Sequence, residues 1–329
     1  MGVATGPVRF GLLSTARING AVLEGAKPSE EVEVVAVASR SLKRAESYAS
    51  EHGIERAHGS YEALLEDPEV DAVYVSLPNA LHVEWSVRAL EAGKHVLCEK
   101  PLTPQQHEAE RAFAAAEAAD RFLAEAFMWR HNPQTARLRE LVEGGAIGEL
   151  RLVRAAFSFS LTALDDVRLR PELDGGSLLD VGCYCVSGIR LLAGEPERVY
   201  GQAVRSSTGV DVRFAAVLSF ATGALAHFDC GFDLPGRGAL EVVGSEGSLL
   251  VRDPWLPRGH GIDLLRAGAE PERIDVPQAD SYRLELENLA RAIRGDASPL
   301  LGRDDALGQA RALEALGRSA DERRAVEVM

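Results

Sequence analysis

Lysine is scarce in this chain: Lys27, Lys43, Lys94 and Lys100 are the only four among 329 residues, and 50 acidic residues against 36 basic ones leave a net charge of -14. A surface this acidic repels a polyphosphate backbone, which excludes nucleic acid as an expected partner. Cysteine is equally sparse. Cys98, Cys183, Cys185 and Cys230 are scattered in apolar contexts, and Cys183-Tyr184-Cys185 lacks the spacing and the second half of a zinc site. The four are expected to be small buried hydrophobes. The eight histidines form no HxH or HExxH cluster, so no metal is expected. A basic-plus-apolar leader is missing, and no apolar run approaches the ~20 residues that a bilayer needs. A cytoplasmic protein without a membrane partner is the expectation. Also absent are low-complexity linkers, internal repeats and a strict GxGxxG fingerprint.

What is present begins with length, which predicts two domains with cores large enough to need no covalent staples. The first half alternates strand and helix. Val8 to Ser14 reads as a strand, and Thr15-Ala16-Arg17-Ile18-Asn19 opens a helix where a dinucleotide pyrophosphate would rest. Ser14, Ala16 and Asn19 stand where three glycines would, so backbone N–H groups must do the binding. Val32 to Ala38 is a second strand ending in Ser39-Arg40, with a helix from Ser41 to Glu51. An acid at this strand end would hold a ribose 2'-hydroxyl; Arg40, with Arg44 one turn on, suits a 2'-phosphate and favours NADP over NAD. After a short helix at Tyr61 to Glu66, Asp71 to Leu77 ends at Pro78-Asn79 and a helix containing His82.

The next strand is Val96-Leu97-Cys98, which delivers Glu99, Lys100 and Pro101 to its end. An unbroken apolar run suits a strand covered on both faces, and ligands of such sheets sit beyond the carboxyl ends of the strands. A lysine placed there loses hydration and is easier to deprotonate. Phe122 to Ala126 closes the series and leads to Trp129-Arg130-His131-Asn132, where an aromatic and an arginine suit a nicotinamide ring and a phosphate, or a domain hinge before Pro133. The cadence predicts an α/β fold: a Rossmann doubly wound parallel sheet over 1–126, then an α/β domain over 127–329.

In that second part, Gly175-Gly176 precedes a helix running to Leu192, on which Asp180 and Tyr184 lie four apart on one face. Alternating runs at 150–161, 199–206, 212–220, 224–232, 239–243, 248–252 and 262–265 predict an open, mostly antiparallel sheet. An apolar face of that sheet, sparse in charge, suits either a second copy of the chain or the chain's own helices. Tyr282 to Arg294 and Asp305 to Leu316 read as closing helices.

GLLSTARI at 11–18, SLPNALH at 76–82, AGKHVLCEKPL at 92–102, EAFMWRHNPQ at 125–134 and GGSLLDVGCYCV at 175–186 together resemble the glucose-fructose oxidoreductase, inositol dehydrogenase and rhizopine catabolism protein family, Gfo/Idh/MocA. The resemblance implies that Lys100 is catalytic and that the second domain's sheet serves substrate binding and homodimer or homotetramer contacts. Many members carry histidine four residues after the aspartate; Tyr184 resembles instead the branch of glucose-fructose oxidoreductase, dimeric dihydrodiol dehydrogenase, D-xylose dehydrogenase and certain keto-sugar reductases. A phenol titrating near 10 is a poor base at neutral pH until a cation such as Lys100 stabilises the phenolate. The expected activity is hydride transfer between NAD(P), with NADP preferred, and a hydroxyl carbon of a cyclic sugar, an aldopyranose such as xylose or glucose. Catalytic residues would be Lys100, Tyr184 and Asp180. Cofactor contacts would come from Ser14 to Ile18, Ser39, Arg40, Arg44, Leu77, Pro78, Asn79, His82, Glu99, Lys100, Trp129 and Arg130. Arg130, Asn132, Phe157, Phe159 and the loop from Leu164 to Arg170 would line the sugar pocket. The alternatives are a 3-keto nucleotide-sugar reductase, a dihydrodiol dehydrogenase and a non-catalytic NADP-binding sensor.

Overall fold

The computed structural model describes residues 6–163, 165–256 and 261–328. They form two compact units: one runs to Thr103 and adds His107–Met128 and Asp280–Ala306, the other holds Pro104–Gln106, Trp129–Ala279 and the chain from Leu307 onward. The expected division at 126 leaves Asp280–Ala306 in the second domain, whereas the chain returns them to the first.

In the first unit the strands are β1 (Val8–Leu12), β2 (Val32–Ala38), β3 (Arg56–His58), β4 (Ala72–Val75), β5 (His95–Glu99) and β6 (Leu123–Ala126). They pair in parallel in the order β3-β2-β1-β4-β5-β6, so the direction of winding reverses between β1 and β4. That order is that of a doubly wound dinucleotide-binding sheet, whose ligand crevice lies at the reversal. β4 and β6 are buried at every position, because helices cover both faces and leave no side to wet. β3, an edge strand of three half-buried residues, has no apolar run to announce it in sequence. The helix Ser281–Arg294 starts at Asp280, whose carboxylate accepts from the N–H groups of Tyr282 and Arg283, and stops at the left-handed Gly295. Its Leu286, Leu289 and Ala290 pack with Val8, Phe10, Tyr74 and Leu97 in one core. Gly25 makes this approach possible, since a Cβ there would sit 2.8 Å from the Arg283 nitrogen.

The second unit carries β7 (Leu150–Ser160), β8 (Arg198–Arg205), β9 (Asp211–Ser219), β10 (Leu225–Gly231), β11 (Asp233–Gly244), β12 (Gly247–Arg252), β13 (Ile262–Arg266), β14 (Glu272–Ile274) and β15 (Val326–Glu327). They form one nine-stranded sheet, β14-β13-β12-β11-β7-β10-β9-β8-β15, antiparallel except where β7 meets β10. β9 shows why the sequence alternates: Phe214, Ala216 and Leu218 face inward and are buried, while Arg213, Ala215 and Val217 face out. The helix Cys183–Ala193 packs on the inner face against β7 and β10. The outer face is less sparse in charge than its apolar runs suggest, for Arg154 pairs with Glu241 at 2.8 Å among the half-exposed Val204, Val217 and Leu225. By length and composition the helical stretch Pro171–Ala193 would pass for a membrane span, but most of it is buried inside this unit. All four cysteines are buried thiols.

Candidate active site

At the switch point of the first unit, Ser14 follows β1 and Ser76 follows β4. Their hydroxyls lie 2.8 Å apart, and Ser14 Oγ also accepts the Ala16 N–H at 3.0 Å. Asn19 donates through Nδ2 to the Ser14 carbonyl at 2.8 Å, which draws the turn Thr15 to Ile18 tight. Ile18 then occupies the N-cap of the helix Asn19–Ala26 without a side-chain cap, and Arg17 is exposed beside it. A helix start of positive dipole with no carboxylate on it suits an anion. At the end of β2, Ser39 is buried, whereas Arg40 and Arg44 are exposed and flank Tyr61. Burial raises the Tyr61 pKa, and the two guanidinium charges pull it back. Two cations and a serine with no aspartate at this strand end are the donor set that a ribose 2'-phosphate requires, so the residues present fit NADP.

Beyond β4, Pro78 O accepts the Leu81 N–H, closing the turn Asn79–Leu81, and Leu77 O lies 2.8 Å from His82 Nε2. His82 is 1% exposed, and its other ring nitrogen lies 2.8 Å from the Pro101 carbonyl. Burial pushes its pKa down to about 4, helped by the nearby Lys100 charge and opposed by the two carbonyls. The neutral ring carries one N–H and donates to one of these two carbonyls, so His82 packs between the end of β4 and the turn after Lys100, where it was expected to meet the cofactor. Glu99 is fixed by Tyr74, whose hydroxyl donates to it, and by the Lys100 N–H at 3.2 Å. Lys100 is half-buried and joined to Pro101 by a cis peptide bond. The following Leu102 N–H donates to the buried Glu125 at 2.7 Å.

Glu285 is the buried acid behind this turn. It is 2% exposed, its Oε1 lacks a hydrogen-bond partner, and burial together with the Glu99 charge holds its carboxyl well above the ordinary 4.5. The folded chain thus keeps a proton that the unfolded chain releases above pH ~4.5, so this group's effect on stability worsens as pH rises. Glu285→Gln is expected to raise Tm at pH 8, by roughly 1–2 °C for each kcal/mol recovered in a chain of this size, with the gain fading toward pH 4. Thermal denaturation at both pH values reads it. An equal gain at both would show that Glu285 is not a proton-holding buried acid.

In the second unit the helix that bears Asp180 and Tyr184 opens with a π-turn, Leu178–Gly182, before the regular helix Cys183–Ala193; a uniform α-helix was expected here. Asp211 holds this start: one carboxylate oxygen accepts from Ser177 Oγ at 2.6 Å and from Leu178 N–H at 2.8 Å. Asp180 is paired with Arg168 Nε at 2.7 Å, a partner the sequence spacing did not reveal. Tyr184 is 7% exposed, with Phe157 edge-on at 5.3 Å and Trp255 at 6.1 Å. Trp129 is fully buried and edge-on to Trp255, so its ring belongs to this unit's core; Arg130 lies over it, with Nη1 3.4 Å from Ser187 Oγ. Asn132 caps the helix Pro133–Glu143 by accepting the Gln134 N–H. Phe159 packs against Phe232 at 5.2 Å. Leu164 lies outside the described residues.

A doubly wound sheet with an anion-suited switch point, followed by a unit presenting a carboxylate and a phenol one helical turn apart, defines a dinucleotide-dependent oxidoreductase. Residues 11–127 match the oxidoreductase family with NAD-binding Rossmann fold, and residues 135–250 match the GFO/IDH/MocA C-terminal domain. The chain belongs to the Gfo/Idh/MocA family. It is 39% identical to D-xylose 1-dehydrogenase (NADP(+)) 2 of Haloferax volcanii, over 97% of this chain and 99% of that one. Among solved structures it resembles a 3-ketoreductase from Actinomadura kijaniata in complex with NADP and TDP-benzene, with TM-score 0.90, 33% identity and coverage of 95% and 98%. It also resembles the aldose-aldose oxidoreductase of Caulobacter crescentus complexed with glycerol, with TM-score 0.90, 27% identity and coverage of 98% and 99%.

Proposed function

We propose that this protein is a cytoplasmic, NADP-preferring dehydrogenase that acts on a ring hydroxyl carbon of a free aldopyranose such as D-xylose or D-glucose. The observation that supports this most is the co-occurrence of Lys100 after β5 with Asp180 and Tyr184 in a chain 39% identical to an NADP-dependent D-xylose dehydrogenase. NADP, when bound, supplies or accepts the hydride. Backbone N–H groups of Ser14 to Ile18 hold the pyrophosphate, Ser39, Arg40 and Arg44 hold the 2'-phosphate, and the turns at Leu77 to Asn79 and Glu99 to Lys100 border the nicotinamide end. Tyr184 takes the substrate hydroxyl proton during oxidation and returns it during reduction. Lys100 is the cation assigned to the same proton transfer, because a phenol needs one to act near neutral pH. Asp180 accepts a hydrogen bond from a substrate hydroxyl and orients the ring. Copies of the chain pair through the outer face of the second unit's sheet, where Val204, Val217 and Leu225 are about half exposed.

The test is the ultraviolet absorbance of reduced nicotinamide with purified protein, using NADP or NAD with a panel of free pyranoses, polyols and dihydrodiols, and NADPH or NADH with nucleotide-linked 3-keto sugars. Reduction of NADP by one pentose or hexose supports the reading. Turnover only with the nucleotide-linked substrate would move it to the 3-ketoreductase class, which the likeness to the Actinomadura kijaniata enzyme favours. NADP binding with silence across the whole panel would reject a sugar dehydrogenase.

A further inference from the structure

We propose that Asp211, a strand residue outside the site, is a positioning residue for it: by gripping Ser177 and Leu178 it holds the π-turn Leu178–Gly182, and the π-turn sets where Asp180 stands relative to Tyr184. This rests on the reading of Asp180 and Tyr184 as the residues that meet the substrate.

The irregular turn has no local cause. Leu178-Leu179-Asp180-Val181-Gly182 contains no proline, the commonest reason for a helix to depart from its ladder. A π-turn closes residue i onto i+5 where an α-helix closes it onto i+4, so it takes one additional residue into the revolution, and such turns recur at functional sites. Asp180 lies inside that revolution, and Tyr184 lies beyond it in the regular helix Cys183–Ala193. The widening therefore rotates the aspartate about the helix axis relative to the phenol. Their four-residue spacing alone does not fix the angle between them.

What holds the turn comes from elsewhere in the second unit. At its start, Asp211 Oδ2 accepts from Ser177 Oγ at 2.6 Å and from the Leu178 N–H at 2.8 Å. Ser177 is fully buried and Asp211 is 9% exposed, so little solvent is present to replace either bond. Burial pushes the Asp211 carboxyl up, and the Ser177 hydroxyl and Leu178 N–H oppose it. The bonds that offset the desolvation of this acid are thus the ones that hold the turn. Asp211 opens β9 opposite Arg205 of β8, which places the anchor on the sheet rather than on a loop. Gly176 leaves room for the approach, because its φ is +126° and a Cβ there would stand 2.3 Å from Asp211 Oδ1. At the far end, Gln309 Nε2 donates to the Cys183 carbonyl at 2.8 Å, and the Asp180 carbonyl within the turn accepts from Cys183 Sγ at 3.4 Å. Arg168 holds the carboxylate of Asp180, whereas Asp211 holds the backbone beneath it.

The test joins crystallography to a double-mutant cycle. In crystal structures of Asp211→Ala and Ser177→Ala, residues 178–182 are expected to relax toward a regular α-helix and Asp180 to move by about 1 Å, a displacement on the scale that costs on the order of 100-fold in rate. A π-turn and an Asp180 unchanged from wild type would overturn the proposal without any substrate being known. Should Asp211→Ala fail to fold, Ser177→Ala, which leaves the carboxylate its Leu178 bond, carries the comparison. With whichever substrate the wild type turns over, both variants are expected to lower kcat/KM by about 10- to 100-fold with the Kd for NADP unchanged. Asp211→Asn, whose amide oxygen accepts both bonds, is expected to restore part of the loss. A residue that only supports the fold would cost the same in any background. In an Asp180→Ala background the loss from Ser177→Ala is instead expected to fall to a few-fold at most, because the group it positions is gone; a loss retained in full there overturns the role of Asp211. Asp180→Ala alone tests the reading underneath: wild-type kcat/KM in that variant would mean that Asp180 meets no substrate, while a large loss that simply adds to that of Ser177→Ala would keep that reading and reject this one.

Discussion

Replacing Tyr184 with phenylalanine is expected to lower kcat by about 100- to 10,000-fold, the usual worth of a positioned general acid–base group, with the Kd for NADP unchanged. The substitution is a clean one because the ring's surroundings are aromatic. Phe157 and Trp255 contact the ring, and Tyr184 is 7% exposed, so phenylalanine keeps the packing and removes only the hydroxyl. Stopped-flow or steady-state turnover with the sugar that the panel identifies would measure kcat, and quenching of protein fluorescence would measure NADP binding. A kcat within a few-fold of wild type would mean that the proton moves by another route and that Tyr184 is a packing residue. Loss of NADP binding in parallel would point to a folding defect, which circular dichroism of the variant detects.

Arg40→Ala should separate the two cofactors. A charge-assisted hydrogen bond to phosphate contributes about 1.5–3 kcal/mol, which corresponds to a rise of about 10- to 100-fold in the Kd for NADP, while NAD, which lacks the 2'-phosphate, should change by less than about three-fold. Arg44→Ala is expected to show the same asymmetry at smaller size, because Arg44 stands one turn further along the helix Leu42–His52. Arg40 is exposed and contributes nothing to the core, so stability should not confuse the comparison. Equal losses for NADP and NAD would mean that Arg40 does not read the 2'-phosphate.

The parts of this molecule that were legible in its sequence are those whose physics is local. β4 and β5 read as buried strands because Ala72-Val73-Tyr74-Val75 and Val96-Leu97-Cys98 are unbroken apolar runs, while the role expected of Lys100 came from the resemblance of the whole motif set rather than from that run alone. Alternation gave the second unit's sheet because one face is packed and the other is wet. What stayed hidden depends on pairings across long sequence distances. Spacing on a helix brings Asp180 and Tyr184 together, but nothing in it says that Arg168, on a loop, will grip Asp180, or that the helix start will widen into a π-turn held by Asp211. His82 carries the same lesson in reverse. Its place after β4 suggested a ligand contact, and the two carbonyls at its ring nitrogens use it to brace the loops instead. Trp129, likewise, reads as an aromatic at a strand end suited to a nicotinamide ring, whereas its ring is buried edge-on to Trp255.

The return of Asp280–Ala306 to the first unit also has a meaning in time. A ribosome makes all six parallel strands early, yet the helix Ser281–Arg294, whose Leu286, Leu289 and Ala290 complete the core around Phe10 and Tyr74, emerges only after the entire second sheet up to β14. At about 5–20 residues per second, that interval is on the order of ten seconds. Throughout it Phe10 and Tyr74 lack the cover of Leu286, Leu289 and Ala290, so the cofactor-binding half of this enzyme is synthesised before the second unit's sheet and completed after it.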